Sequence, residues 1–261
     1  MEKATLTISC VLYKQAPEEL FLLLKGLDLV SDAFPVVVLF IDNSPDNALE
    51  KVVEKYAWAR YIKNPAGNTG FGSGHNLAMQ NMGKYHLVIN PDVDLAPDAL
   101  RNALAFMEAN PECGLLAPQV FNGKREREYL CRRYPSILDI ALRGFAPARL
   151  KNLFRPRLER YEMRDLINDE VLWDPPLVSG CFMLFRSSVL KQLGGFDAAF
   201  FLYFEDYDIS LRVAKISRIA YVPAVKIVHY GGGAARKGLR HVYLFARSAI
   251  TFFNKHGWRF S

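Results

Sequence analysis

Three short strand-like runs, Thr5 to Leu12, Val36 to Ile41 and His86 to Asn90, limit this chain more than any other feature, because stretches of helical period separate them. Pro17-Glu18-Glu19-Leu20 starts the first such stretch, and its apolar positions Leu20, Leu23, Leu24 and Leu27 recur on one helix face. A helix through Ala48 to Tyr56 and a short strand near Arg60 to Lys63 follow. A Gly-rich turn, Gly67 to Gly74, then opens a helix from Asn76 to Met82. Strands alternating with helices imply an α/β fold: a mostly parallel sheet flanked by helices. Ligands of such sheets gather where the strands end, and Asp42, Asn64 and Asp92 all fall there.

Beyond Pro97 the pattern predicts a helix through Met107 and a strand near Leu115 to Phe121, after which regularity lapses over residues 122–160. Strand character returns from Leu177 to Phe185, and Ser187 is placed to cap a short helix ending at Gly194-Gly195. Glu205 to Lys215 reads as helix, Ile219 to Pro223 and Lys226 to Val228 as extended, and a basic aromatic helix begins near Leu239. No repeat or low-complexity linker divides the 261 residues, so a single domain is expected, with an irregular second half.

Charge is unevenly distributed. Residues 122–160 carry eleven Lys/Arg against four Asp/Glu, residues 236–261 carry six against none, and the remainder is acidic within a net charge of +6. Two basic stretches on an acidic body suit an anionic partner, a membrane surface or nucleic acid. No nucleic-acid-binding motif accompanies them, and the acidic motifs would repel a phosphate backbone, so nucleic acid is not expected. The apolar runs are too short to span a bilayer. Met1 to Thr5 begins no apolar leader, which makes a cytoplasmic protein the expectation. Cys10, Cys113, Cys131 and Cys181 are scattered without a C-x-x-C pair, which excludes a zinc knuckle and a disulfide framework.

Four segments can carry chemistry. Asp92-Val93-Asp94 follows the strand Leu87-Val88-Ile89, and paired carboxylates at a sheet edge suit Mg²⁺ or Mn²⁺ bridging to a diphosphate, although Asp is also common in turns. Asn64 to Asn76 places small residues before a helix, where backbone N–H groups can approach phosphate or sugar. Its glycines match neither a dinucleotide fingerprint nor a P-loop. Gly194 to Asp208 packs six aromatics and four carboxylates into fifteen residues. There Asp208 and Arg212 are spaced to pair along a helix, while Asp206 has no such partner and suits a general base. His229 follows a strand and precedes the glycine run 231–233; on its own it reads as a structural histidine more readily than as a ligand.

Taken in order, Asp42-Asn43-Ser44, Asn68 to Asn76, Asn90-Pro91-Asp92-Val93-Asp94, Gly194-Gly195-Phe196-Asp197, Phe204-Glu205-Asp206-Tyr207-Asp208 with Arg212, and Pro223 with Val228-His229 resemble inverting glycosyltransferases of family 2. The resemblance spans roughly residues 5 to 250 and is greatest to bacterial rhamnosyltransferases of O-antigen and surface-glycan assembly. It implies a GT-A fold, with a nucleotide-sugar half over about residues 1–121, an acceptor half over about 122–235 and a basic aromatic membrane-surface segment over about 236–261. It further implies donor contacts at Asp42, Asn68, Gly70, Gly72, Asn76 and Asp92, a divalent cation at Asp92, Asp94 and His229, and a catalytic base at Asp206 with Glu205 beside it. Trp173 and Gly180 would line the acceptor side. The implied partners are a nucleoside-diphosphate sugar, dTDP-rhamnose by the same resemblance, a polyprenyl-diphosphate-linked or other glycan acceptor, and an anionic membrane surface reached from the cytoplasm. A sugar-nucleotide-forming nucleotidyltransferase would share the sheet and paired aspartates but needs a Gly-rich first loop, which Val11 to Pro17 does not supply. A catalytically silent scaffold of transferase shape is the other alternative.

Overall fold

The computed structural model describes residues 5–31, 35–231 and 238–261. Arg236 and Lys237 of the basic aromatic segment, and Gly232 and Gly233 of the glycine run, lie outside them. The first half alternates as expected: β1 (Leu6–Leu12), α1 (Pro17–Ser31), β2 (Val36–Asp42), α2 (Glu50–Val53), β3 (Ala59–Lys63), α3 (Phe71–Asn76) with a 3₁₀ turn over Leu77–Asn81, and β4 (Tyr85–Ile89). These four strands are parallel in the order β3-β2-β1-β4. Every residue of β1 is buried, and Leu20, Leu23, Leu24 and Leu27 of α1 close one face of the sheet. Two elements differ in extent. The helix read over Ala48 to Tyr56 is a single turn, and α3 begins inside the glycine run rather than after it. Gly72 and Gly74 are helical, and a Cβ would press on Phe196 at the first and on Val11 at the second. Those glycines serve close packing, not an open turn.

Next come β5 (Val93–Leu95), α4 (Ala99–Ala109), β6 (Cys113–Phe121) and β7 (Arg127–Glu128). The basic stretch then departs from expectation, for it is helical: α5 (Ile137–Phe145), α6 (Ala148–Leu153) and α7 (Arg155–Tyr161). Ser136 and Asp139 form a capping box at the start of α5, and Arg157 binds both Asp139 (2.6 Å) and Ser136 (2.9 Å). Breaks at Pro147 and Phe154 make these helices too short for periodicity to reveal.

The chain finishes with β8 (Leu172–Trp173), β9 (Phe182–Arg186), α8 (Ser187–Gln192), α9 (Glu205–Val213), β10 (Arg218–His229) and α10 (Leu239–His256). Strand β9 inserts antiparallel between β4 and β6, whereas β10 runs parallel to β6. The two extended pieces read after Ser217 are one strand with a register shift between Val222 and Lys226. Ser187 does not cap α8; it is the first helical residue, and Arg186 takes the cap position without a side-chain bond. No described helix is long and apolar enough to cross a membrane.

A buried polar chain in this core links β4, β1 and α3. Thr7 Oγ1 lies 2.9 Å from His86 Nδ1, His86 Nε2 lies 2.9 Å from Ser9 Oγ, and Ser9 Oγ lies 2.7 Å from His75 Nδ1. Neutral imidazoles satisfy it: Thr7 donates to the Tyr85 carbonyl, so His86 donates to Thr7, Ser9 donates to His86, and His75 donates to Ser9. Burial holds His86 down to about 3 and His75 well below the usual imidazole range, the latter aided by His86. Both imidazoles therefore take protons more readily unfolded than folded. The contribution of His86 is complete above pH about 6.5 and drains away as pH falls toward about 3, and that of His75 is lost in the same direction. Urea midpoints measured at pH 7.5 and 5 should show a marked loss at the lower value. In His86→Gln that pH slope should be shallower by about one proton.

Candidate functional site

One edge of the sheet collects the chemistry. The parallel strands β1 to β4 finish there at Leu12, Asp42, Lys63 and Ile89, while antiparallel β9 begins there, with Phe182 paired to Ile89. Asn90 donates its N–H to the Cys181 carbonyl, so the segment after β4 is stitched to the start of β9. The other parallel pair, β6 and β10, ends at the same edge with Phe121 and His229.

Asp92 and His229 meet at this edge, with His229 Nε2 3.4 Å from Asp92 Oδ1 and 3.4 Å from Asn90 Nδ2. Tyr230 donates its N–H to the Asp92 carbonyl, which fixes the approach of the two strands. A Cβ at Gly231 would collide with both Asp92 Oδ2 and His229 Nε2. Asp94 stands opposite Val228 on β5; it and Asp92 flank the buried Val93. Among the described residues no three His, Cys, Asp or Glu side chains are drawn together as a cation cage, so Asp94 does not close one with Asp92 and His229. Carboxylate oxygens and an imidazole nonetheless fit Mg²⁺ or Mn²⁺, which are commonly held by one or two protein carboxylates and complete their shell with phosphate and water.

Across Cys181 from this pair lies the first turn of α9. Asp206 Oδ2 accepts from the Gly180 N–H at 3.0 Å and Oδ1 accepts from the Tyr207 N–H at 2.9 Å. Burial raises the Asp206 carboxyl to about 6, against those two N–H bonds and the Arg132 guanidinium, which lower it. Glu205 is buried too; burial and then the Asp206 charge push it well above the usual carboxylate range, and its Oε2 has no hydrogen-bond partner among the described residues. The pair resists carrying two charges, and Glu205 is the member driven toward its neutral form, by burial and then by the Asp206 charge. The Cys181 thiol, pushed up to about 12 mainly by burial, feels both Asp92 and Asp206.

The loop before α9 is strained. Tyr203 (φ 71°) and Phe204 (φ 67°) are consecutive left-handed residues, a geometry that costs about 1 kcal/mol or more each. Packing holds it: Phe204 lies against Phe252 and Phe245 of α10, Tyr203 hydrogen-bonds His241, and Ser248 donates to the Leu202 carbonyl. From the other side Phe71 donates its N–H to the Phe201 carbonyl. The Asp208–Arg212 pair read from spacing forms at 2.7 Å, and Arg212 also binds the Leu193 and Gly195 carbonyls.

The Gly-rich segment is turned toward this loop. Asn76 grips the Phe196 backbone from both sides, its Nδ2 donating to the carbonyl (2.8 Å) and its Oδ1 accepting from the N–H (2.9 Å). Its amide, read as a donor contact, is thus committed within the protein. Gly70 and Gly72 likewise face Phe201 and Phe196, while Asn68 accepts the Gly70 N–H. Asp42 is buried and accepts from Ser44 N–H (2.7 Å) and the Tyr61 hydroxyl (2.6 Å), beside a cleft lined by Pro45, Asp46, Asn47, Glu50, Tyr61 and Lys63. Trp173 requires correction as an acceptor-side residue. It pairs with Ala220, nine residues before His229 on β10, stacks near Phe106 and Arg218, and belongs to the far end of the sheet. Gly180, by contrast, touches Asp206. Arg132 was legible only as one of many basic residues. Its burial and its field on Asp206 follow from pairing with Leu177, signalled in sequence only by its neighbours Leu130 and Cys131.

With this geometry in view, comparison with known proteins is informative. The family described as "Glycosyl transferase family 2" matches residues 27–194. The chain is similar to N-acetylglucosaminyl-diphospho-decaprenol L-rhamnosyltransferase of Mycobacterium tuberculosis, at 28% identity over 97% of this chain and 86% of that protein. It is also similar to the rhamnosyltransferase WbbL of Escherichia coli, at 26% identity over 80% and 77%. Among solved structures, GalNAc-T7 with UDP, GalNAc and Mn²⁺ superposes with a TM-score of 0.66 and 11% identity; the match covers 96% of this chain and about half, 48%, of that one. The fold is therefore that of GT-A glycosyltransferases.

Gly70→Ala tests whether α3 positions the strained loop. Gly70 has φ 92°, and an added Cβ would land on the Phe201 carbonyl. The substitution should lower stability by about 1–3 kcal/mol, read as a shifted urea midpoint. A second outcome concerns Glu205. Because its folded carboxyl sits above its unfolded value, its contribution is present at low pH and lost as pH rises through the folded value. Glu205→Gln should remove that loss, so thermal unfolding profiled from pH 5 to 9 should show the variant gaining on the parent as pH rises.

Proposed function

The chain belongs to glycosyl transferase family 2, and from that premise we propose that it moves L-rhamnose from dTDP-rhamnose to a hydroxyl of a polyprenyl-diphosphate-linked glycan, inverting the anomeric centre. The observation that supports the mechanism is that Asn90, two residues before Asp92, bonds the Cys181 carbonyl while neighbouring Gly180 bonds Asp206, so the Asp92–His229 pair and Asp206 share one sheet edge. The sugar and the lipid-linked acceptor follow the two rhamnosyltransferase relatives, one of which names a diphospho-decaprenol substrate. Such an acceptor stays in the bilayer, so the enzyme works as a peripheral protein at the cytoplasmic face.

In this reading the donor diphosphate lies over Asp92, Asp94 and His229, with the nucleoside toward Asp42 and the cleft at Tyr61 and Lys63. Asp92 and His229 would hold Mg²⁺ or Mn²⁺, which when bound would neutralise the negative charge that grows on the departing phosphate. The acceptor oxygen attacks the anomeric carbon, the carbon–oxygen bond to the β-phosphate breaks, and its electron pair leaves on that phosphate. Asp206 takes the acceptor proton. Gly180 and Tyr207 aim its oxygens through their N–H groups, and neutral Glu205 spares the site a second negative charge. One carboxylate suffices because a single displacement inverts, with no covalent sugar–enzyme intermediate.

Asp206→Asn should lower kcat by about 10²–10⁴ while the thermal shift produced by the nucleotide sugar with Mg²⁺ or Mn²⁺ is retained. Asp92→Ala should instead abolish the cation-dependent part of that shift. A panel of nucleoside-diphosphate sugars scored the same way identifies the donor. Because Asp206 titrates near 6, kcat/KM of the parent should fall tenfold per pH unit below that value. An Asp206→Asn enzyme with undiminished kcat would favour the scaffold reading.

A further inference from the structure

Helix α10 presents two apolar stripes, and only one is used inside the protein. Phe245 and Phe252 face the strained loop, where Phe252 is fully buried. On another side, Leu239, Tyr243, Ala246 and Ile250 follow each other at spacings of four, three and four, which places them on one line along the helix. All four are exposed, Leu239 at 88%.

That line does not stand alone. Ala246 and Ile250 form one wall of a groove of about 260 Å³ whose other wall is Ile137, Ile140, Ala141 and Phe145 of α5. Phe145 meets Phe245 edge-on at 5.6 Å, so α5 and α10 are neighbours along one face. Helix α6 continues directly from α5 and adds Leu150 and Leu153, the latter 73% exposed. Trp258 also lines the groove, and exposed Phe260 stacks on it. Exposed apolar side chains of α5 and α10 therefore share a surface, where a lone exposed leucine would mean nothing, and α6 follows α5 after two residues.

The one acid on α5, α6 and α10 is Asp139, which Arg157 pairs, and the charge left over on these helices is positive. Residues 140–158 contain five Lys/Arg and residues 238–261 contain four, and neither stretch holds a single Asp or Glu. Among the described residues Arg149 and Lys151 of α6, and Arg240 and Arg247 of α10, have no carboxylate partner. Arg240 and Arg247 are seven apart and lie about a quarter-turn from the apolar line, so they flank it along its length.

We propose that α5, α6 and the outer stripe of α10 form one docking face for an anionic bilayer, with the apolar residues in the headgroup–acyl boundary and the arginines and lysines on lipid phosphate. Charge decides among occupants. A second copy of the chain would bring the same cations against themselves in a two-fold contact, whereas an anionic lipid surface neutralises all of them. The face lies next to the candidate site: α10 packs on residues 200–204, immediately before Glu205 and Asp206. This placement requires neither the donor nor the reaction assigned above, and it joins the two basic stretches read from composition into one face.

Sedimentation of the full chain with phosphatidylcholine vesicles, with and without about one-third phosphatidylglycerol, tests it. Binding should need the anionic lipid and weaken at least about tenfold as ionic strength rises from about 0.05 to 0.5 M. The double variant Arg149→Glu/Lys151→Glu, the double variant Arg240→Glu/Arg247→Glu and the single variant Leu153→Asp should each weaken binding by about tenfold or more while melting at the parent temperature. Three results overturn the proposal: no retention on anionic vesicles, equal retention on neutral ones, or variants that bind like the parent. A stable dimer in solution that Leu153→Asp dissociates would also overturn it and assign the face to a second copy. The assay contains neither donor nor acceptor, so its failure leaves the transfer reaction untouched.

Discussion

The hydrogen bond from the Gly180 N–H to Asp206 joins two parts of the chain that sequence separates by 26 residues and topology brings to one edge. It exists because β9 runs antiparallel between β4 and β6. A parallel strand in that position would deliver its first residue to the opposite end of the sheet. As built, the start of β9 stands beside the end of β4, and Asn90, Cys181, Gly180 and Asp206 follow one another across the edge. Everything the site does with its carboxylates depends on that reversal of strand direction.

The reversal alone would not hold Asp206. Its helix begins after two left-handed residues, and the aromatic stretch that precedes it supplies the restraint. Phe196 is clamped by Asn76, Phe201 is bonded by Phe71, and Phe204 is wedged against Phe252. Three contacts from two elements, α3 and α10, thus fix one loop, and the strain persists because each contact would be lost on relaxation. The same burial that fixes the loop separates the two adjacent acids. Asp206 retains two N–H donors and the field of Arg132, while Glu205 Oε2 has none. Neighbouring residues of like chemistry therefore differ in protonation through hydrogen bonding and location, not through identity.

Much of this was readable from residues. Strand ends at Asp42 and Asn90 follow from apolar runs bounded by polar residues, and the α1 face follows from Leu20, Leu23, Leu24 and Leu27. What sequence concealed was of two kinds. Elements shorter than about three turns carry no measurable period, so α5 to α7 merged into a basic irregular stretch. Side chains engaged over long distance look free when read locally: Asn76 sits in a glycine-rich loop suited to a phosphate, yet its amide is satisfied 120 residues away on Phe196. Trp173 illustrates the same limit, since order along the chain gave no sign that β8 joins the far end of β10.

The distribution of charge acquires a physical sense once the fold is known. The carboxylates at Asp92, Asp94 and Asp206 make a cleft that repels a diphosphate unless a cation intervenes, so donor entry is coupled to metal in the proposed reaction. The same carboxylates would repel an anionic bilayer if the cleft faced it directly. The cations lie elsewhere, on α6 and the outer side of α10, and the two regions are linked by the rigid packing of α10 on residues 200–204. Opposite charge on neighbouring faces gives the molecule a preferred orientation in the field of a negative surface: the basic helices turn toward it and the acidic cleft turns to its margin. In the proposed reaction a lipid-linked acceptor then meets Asp206 without the acidic edge entering the headgroup layer.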